Sequence, residues 1–167
     1  AVAHILEMQG RRDDGISLLN QLEPHWEGGN SLLHHLWWHR GLYHYERREF
    51  AAVLDLYDRR FRNHASPLII QNPDVYIDVQ NAASMLLRLQ RLGVDVGDRW
   101  IELADKAEAR IGDHLSLFTL PHWMMALVAT KRWDAAERMI AAMQQDPASG
   151  APLLHDAALP ICRAILA

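Results

Sequence analysis

The stretch R-E-F-A-A-V-L-D-L-Y at residues 48–57 returns in altered form as K-R-W-D-A-A-E-R-M-I at residues 131–140. In both stretches, apolar side chains follow a basic residue at offsets of two, five and nine positions. This spacing places the three apolar residues on one face of an α-helix. A small residue at the fifth position lets two helices approach closely, and a larger one at the ninth fills the gap between them. The stretch therefore predicts the second helix of a helical hairpin that occurs more than once.

Two further copies of the pattern lie elsewhere in the chain. Gly10 is followed by Gly15 and Leu19 at the fifth and ninth positions, and a looser copy with an enlarged turn precedes Asp98. Successive copies are separated by 38, 50 and 33 residues, near the period of about 34 residues that is typical of tetratricopeptide repeats. We therefore predict an all-α fold: an α-solenoid of about four degenerate tetratricopeptide-like hairpins, forming a single domain over residues 1–167.

The remaining sequence shows helical periodicity and lacks the alternation or tight turns that are typical of strands. An ordered loop is expected over residues 63–73. The chain begins without Met inside a helical pattern and ends as abruptly, so we expect it to be a fragment of a longer protein, and the family resemblance described below implies the C-terminal part of a longer solenoid. The other predicted elements are helices over 13–22, 32–45, 50–61, 74–92, 100–111, 122–130, 134–145 and 153–166. Asn30 or Ser31 is the predicted cap of the second of these helices, the fourth is predicted to begin at Asp74, and Asp98 is the predicted cap of the fifth.

Composition excludes several classes of protein. Half of the residues are apolar and 23% are charged, which is enough for a packed core. The net charge is −4, which argues against a nucleic-acid binder, and no apolar run reaches the ~18 residues of a membrane helix. No signal peptide is visible, so a cytoplasmic location is expected. The single cysteine, Cys162, excludes a disulfide framework and predicts a buried, unreactive thiol.

Several segments resemble tetratricopeptide repeat protein 38 and its bacterial relatives. They include A-H-I-L-E-M at 3–8, H-L-W-W-H at 35–39 and S-M-L-L-R-L-Q at 84–90, and the match extends to G-D-R-W at 97–100 and L-P-I-C at 159–162. This family resemblance covers essentially the whole chain and implies a fold rather than a reaction. It also implies that four residues face the concave side of the solenoid: His4, Glu7, His35 and Trp38.

Ten histidines are the unusual feature of the composition. His4 and Glu7 are spaced i, i+3, and His35 and His39 are spaced i, i+4, so each pair shares one helix face. Two histidines and a carboxylate on adjacent helices can form a metal site. One hypothesis is therefore a metal-dependent enzyme or small-ligand binder. Its divalent transition metal would be held by a set of four residues with one further ligand available: His4, Glu7, His35 and His39, with Asp78 or His122.

Two other interpretations of the same residues remain open. Buried histidines often serve only to hydrogen-bond neighbouring helices. Alternatively, the concave face binds a protein or peptide partner, with no cofactor and no catalytic residue. This noncatalytic scaffold is the leading hypothesis, because the sequence contains neither a serine nucleophile elbow nor an H-E-x-x-H motif. We expect Trp37 to lie in the core. The expected groove residues are His4, Glu7, His35, Trp38, Tyr45, Gln90 and Arg91.

Overall fold

The structure is a computed structural model that describes residues 2–26, 28–30, 32–73, 75–146 and 152–167. Every regular element in this part of the chain is helical, which confirms the predicted all-α class. The chain divides into two compact units, Ala1–Val94 and Asp95–Ala167, and each is described by itself. Among the described residues, no helix is long and apolar enough to cross a membrane.

The first unit is organised around one long helix, α3 (Leu32–Glu46), which packs against α1 (Val2–Met8), α2 (Arg12–Leu22), α4 (Phe50–Leu56) and α6 (Tyr76–Arg91). A short 3₁₀ turn extends α2, and a π-helical stretch, Tyr57–Phe61, extends α4. The helices described in this unit are α1 (Val2–Met8), α2 (Arg12–Leu22), α3 (Leu32–Glu46), α4 (Phe50–Leu56), α5 (Pro67–Gln71) and α6 (Tyr76–Arg91).

The second unit is organised around α8, which packs against the other three helices of the unit. Its centre is apolar: Leu103, Met124 and Leu127 are fully buried. A π-helical stretch, Leu153–Ala158, leads directly into the last helix. The helices described here are α7 (Trp100–Ala109), α8 (Leu120–Ala129), α9 (Trp133–Gln145) and α10 (Leu159–Leu166).

The positions on which the repeated pattern was aligned share one backbone turn. Gly10, Arg48 and Lys131 all have positive φ, at 68°, 59° and 59°. Each ends a helix with two backbone hydrogen bonds; at the second turn, Arg48 N donates to Tyr45 O and Glu49 N donates to His44 O. This pair of bonds is the Schellman motif, in which a left-handed residue satisfies the last carbonyls of a helix. The repetition seen in the sequence is therefore a repeated way of ending a helix.

The small residue predicted at the fifth position is required where α2 meets α3. A Cβ atom on Gly15 would lie 2.1 Å from Cζ of Tyr43. The Tyr43 ring is fully buried, and its hydroxyl donates a hydrogen bond to the carbonyl of Ala3 at 2.6 Å. The residues at the same offset after Arg48 and Lys131 are Val53 and Ala136, and both are also fully buried.

Two local expectations were wrong. The segment 63–73 contains the short helix α5, because Ser66 has an extended backbone and Pro67 fits the first helical position with its fixed φ. Asp98 does not cap α7, which begins after Arg99 without a side-chain cap.

Other local expectations are confirmed where the residues are described. Asn30 caps α3, since its Oδ1 accepts a hydrogen bond from Leu32 N at 3.0 Å. Trp37 is buried in the core. Cys162 is fully buried, and burial raises the pKa of its thiol to about 12. The predicted cap at Ser31 and the predicted helix start at Asp74 lie outside the described residues.

Candidate metal centre

Three imidazole rings converge where α1 meets α3. The Nε2 atom of His39 lies 3.1 Å from Nε2 of His4 and 3.2 Å from Nε2 of His35. The two α3 histidines come together because they are four positions apart on one helix, and α1 supplies the third. The ring centroids of His4 and His39 are 4.1 Å apart. The same type of nitrogen from three side chains therefore points into one small volume.

The separations of these nitrogens suit a bound metal ion. Zinc binds imidazole nitrogen at about 2.0–2.1 Å, so ligand nitrogens around one ion lie about 2.8–3.4 Å apart for angles between octahedral and tetrahedral. The two measured Nε2–Nε2 distances fall within this range. All three ligand atoms lie within 4.8 Å of one another. Two of the three pairs of nitrogens are therefore spaced as the ligands of one ion, and the third histidine lies within reach of the same ion.

The outer nitrogen of each α3 histidine faces an oxygen atom. His35 Nδ1 donates a hydrogen bond to Oδ1 of Asn81 at 3.1 Å, which leaves the lone pair of His35 on Nε2. His39 Nδ1 lies 3.4 Å from Oε2 of Glu7. Histidines that bind metals nearly always use the second ring nitrogen in this way, and the partner fixes both tautomer and orientation. Glu7 therefore faces the outer nitrogen of His39, not the volume shared by the three Nε2 atoms.

Electrostatics favour the neutral form of two of the rings, His4 and His35. Burial, and then the nearby His39, lower the pKa of His4. Burial also lowers the pKa of His35, against a smaller opposing effect of the Asn81 hydrogen bond. The contact with His39 lowers the pKa of Glu7, and Arg88 contributes in the same direction. Two imidazoles are thus biased towards neutrality beside an ionised carboxylate, as coordination requires.

An indole ring packs against the cluster. Trp38 stacks on His35 with ring centroids 5.2 Å apart and planes inclined by 16°, and it meets the edge of His39 at 5.1 Å. His39 is 1% exposed, His35 is half-buried and His4 is exposed. The cluster is therefore held rigidly on its inner side and is open to solvent on the side of His4.

No family model matches the chain, and no solved structure matches it. The chemistry of this site is therefore inferred from its own atoms.

The residues predicted for the groove separate into two groups. Four of them, His4, Glu7, His35 and Trp38, contact one another or His39 in the cluster just described. The others lie in the last turns of α3 and α6. Tyr45 is half-buried and donates a hydrogen bond to the carbonyl of Arg88 at 3.4 Å. The remaining two are exposed: Gln90 and Arg91.

The two additional ligands proposed for the metal have other partners. Asp78 accepts a hydrogen bond from His34 at 2.9 Å, so the expectation that it joins the metal set is wrong. His122, in the second unit, donates a hydrogen bond from Nδ1 to the carbonyl of Phe118 at 3.0 Å.

Sequence analysis missed His34, which directly precedes His35 on α3. His34 and His35 are adjacent, so their side chains point about 100° apart around the helix. One helix therefore presents imidazoles to two different environments. The signal was present in the sequence, because two consecutive histidines on a helix cannot both join one cluster.

Proposed function

We propose that the first unit binds a divalent transition metal ion, Zn²⁺ in the first instance, through His4, His35 and His39. The convergence of their three Nε2 atoms, at 3.1 Å and 3.2 Å, carries this proposal. Imidazole suits zinc, copper, nickel and iron, and neutral nitrogen ligands disfavour calcium or magnesium. On this proposal, whatever reaction or ligand binding the first unit carries out requires the bound metal ion.

Hydrogen bonding alone accounts poorly for the three rings. A neutral imidazole has one N–H and one lone pair. The Nδ1–H of His35 is committed to Asn81, so its Nε2 offers a lone pair to His39. Nε2 of His39 must then serve two nitrogen neighbours with one proton. A cation at the centre satisfies all three lone pairs at once.

Three protein ligands leave a coordination position for water or a substrate. Structural zinc sites fill all four positions with protein atoms, whereas catalytic sites keep one open. The exposed side of His4 gives solvent a path to that position. A metal bound there would supply Lewis acidity and lower the pKa of a bound water molecule. Glu7 would hold the His39 ring in place through its outer nitrogen.

The surrounding frame is proposed to be a tetratricopeptide-like solenoid, in keeping with the resemblance to the tetratricopeptide repeat protein 38 family. The repeated Schellman turn at Gly10, Arg48 and Lys131 supports this assignment. A peptide groove on the concave face has less support than a metal site, because four of the seven residues predicted for it pack into the histidine cluster.

Calorimetric titration of chelator-treated protein with Zn²⁺ tests the proposal. We expect one Zn²⁺ per chain, and a rise in thermal midpoint that disappears when chelator is added. Binding stabilises the folded chain by about 2.7 kcal/mol at a free metal concentration one hundred times the dissociation constant. His4→Ala removes an exposed ligand without opening the core, and we expect it to weaken binding at least tenfold.

His25→Ala is the matched control, because His25 is an exposed histidine of the same unit that lies outside the cluster. It should bind Zn²⁺ as the parent does. Folded protein that binds no Zn²⁺ at micromolar concentrations would refute the proposal. Equal affinity in the parent and in a His4→Ala/His35→Ala double variant would also refute it.

A further inference from the structure

A second polar cluster joins three side chains in one chain of hydrogen bonds. Nδ1 of His34 donates to Oδ2 of Asp78 at 2.9 Å. On the other side of the ring, Nε2 of His34 lies 3.4 Å from Oγ of Ser66. The order hydroxyl, imidazole, carboxylate is the arrangement that activates serine in many unrelated hydrolases. Such sites are recognised by geometry and not by sequence position.

The fold brings these residues together from three separate segments. His34 lies in the first turn of α3 and Asp78 in the first turn of α6. The two helices run parallel, since His34 meets Asp78 near their starts and Tyr45 meets Arg88 near their ends. Ser66 stands immediately before α5, in the segment between α4 and α6.

The hydrogen bonds determine the tautomer of His34. Because Nδ1 carries the proton that is donated to Asp78, the lone pair of the neutral ring lies on Nε2, facing Ser66. The Ser66 hydroxyl can therefore donate its proton to His34. The distance of 3.4 Å is long for a hydrogen bond, but bonds of this kind are often loose before substrate binds and tighten afterwards.

Burial differs along the chain of hydrogen bonds in the way that nucleophilic catalysis requires. His34 is 2% exposed and Asp78 is 1% exposed, so the base and its partner are shielded from water. Ser66 is half-buried, so its hydroxyl is the accessible end. A buried carboxylate is costly unless it is paired, and Oδ1 of Asp78 has no hydrogen-bond partner among the residues that the structure describes. If the His34–Asp78 pair served only to join α3 and α6, its desolvation would cost more free energy than apolar packing of the same helices.

We propose that Ser66 is a nucleophile, that His34 is its general base and that Asp78 positions His34, forming a site that acts on carboxylic esters. Ser66 Oγ forms a bond to the acyl carbon of the ester while its proton moves to Nε2 of His34. The bond between the acyl carbon and the alkoxy oxygen breaks, and the leaving alcohol takes the proton from His34. Water, activated by the same nitrogen, then hydrolyses the acyl-Ser66 ester to a carboxylic acid and restores the serine.

The proposed ester site uses none of the three proposed metal ligands, although the Asp78 carboxylate also acts electrostatically on the neighbouring His35. His35 bonds Asn81 and faces His39, whereas His34 bonds Asp78 and faces Ser66. The assay is therefore performed in chelator, which removes any contribution of a bound metal.

The experiment measures acylation of Ser66 by p-nitrophenyl acetate, followed by the release of p-nitrophenol and by peptide mass spectrometry. We expect a burst of one equivalent, with the acetyl group on Ser66, and no burst in Ser66→Ala. Ser84→Ala is the matched control: Ser84 is a half-buried serine of the same unit, but its hydroxyl donates only to the carbonyl of Asn81. It should acylate as the parent does.

Asp78→Asn separates positioning from structure. It preserves the size of the side chain but permits the wrong tautomer of His34, so the acylation rate should fall by about 10²-fold or more while the thermal midpoint is retained. His34→Gln should abolish the burst. Folded protein that shows no burst would overturn the proposal, as would acetylation of Ser66 at the parent rate in Asp78→Asn, or equal acetylation of Ser84.

Discussion

The two units are built from similar helices but differ in what they bury. In the part of the chain that the structure describes, Thr119 is the only polar residue buried in the second unit. Buried polar groups are costly unless bonded, and a helical core does not need them. The polar side chains buried in the first unit therefore need hydrogen-bond or ion-pair partners, which the second unit's core hardly requires. Its buried polar residues are His34, His39, Arg40, Arg62, Asp78 and Asn81.

The largest expected effect tests the apolar core of the second unit. Leu127→Ala removes a fully buried side chain of α8 and should lower the free energy of unfolding by about 2–5 kcal/mol, because it leaves a cavity. Urea denaturation measures this change. Leu115→Ala is the control, since Leu115 is 84% exposed and its truncation should change stability by less than about 0.5 kcal/mol. Equal losses in both variants would contradict the assigned core.

The polar core of the first unit should respond differently. Asp78→Ala leaves the buried His34 without its partner and should cost about 1–3 kcal/mol. The double replacement His34→Leu/Asp78→Leu removes both polar groups and should return stability to within about 1 kcal/mol of the parent. It should also abolish the reaction of Ser66. A double variant as unstable as Asp78→Ala, measured in urea, would mean that the pair itself stabilises the fold.

A pH-dependent effect of smaller size is expected from Cys162. The thiol has a pKa of about 12 in the folded protein, against an ordinary value of 9.0. Between these values the unfolded chain loses the thiol proton while the folded chain retains it, so the contribution of Cys162 to stability falls as pH rises above 9. The expected loss is on the order of 1 kcal/mol at pH 10. Urea denaturation at pH 8 and pH 10 should show a smaller loss in Cys162→Ala, and identical losses would contradict a buried thiol.

The smallest effect concerns a feature that the two units share. Lys131 ends α8 at φ 59°, a conformation that costs a residue with a Cβ atom about 1–2 kcal/mol. Lys131→Gly relieves this cost but increases the entropy of the unfolded chain, so stability should rise by about 0.5 kcal/mol. Lys131→Ala retains the strain and should leave stability unchanged. Thermal denaturation distinguishes the two variants, and a decrease in Lys131→Gly would contradict the predicted relief of strain.

The helices were predictable from sequence because their signals are local. Apolar residues at helical spacing gave most of the elements, and the offsets after Gly10, Arg48 and Lys131 correspond to real turns. The segment 63–73 was less predictable. Its helix α5 is only five residues long, which is too short for periodicity to be seen, and it begins at a proline that also marks a loop.

The histidine cluster could be predicted only in part. His35 and His39 share a face by their spacing, but the position of His4 depends on how α1 packs against α3. The hydrogen bonds among Ser66, His34 and Asp78 were not predictable, because these residues are brought together by tertiary contacts alone. No residue spacing encodes a contact across three segments, and the spacing rules that found the first cluster apply within one helix.

Because His34 and His35 are adjacent, helix α3 contributes a histidine to both clusters, the one that contains His4 and the one that contains Ser66. A rotation of this helix about its own axis turns both imidazoles through the same angle, one relative to Ser66 and the other relative to His4. A rigid rotation of this helix would therefore change the distances of both clusters together. On the two proposals, an ion that fixes the orientation of His35 would also restrict the orientation of His34 towards Ser66.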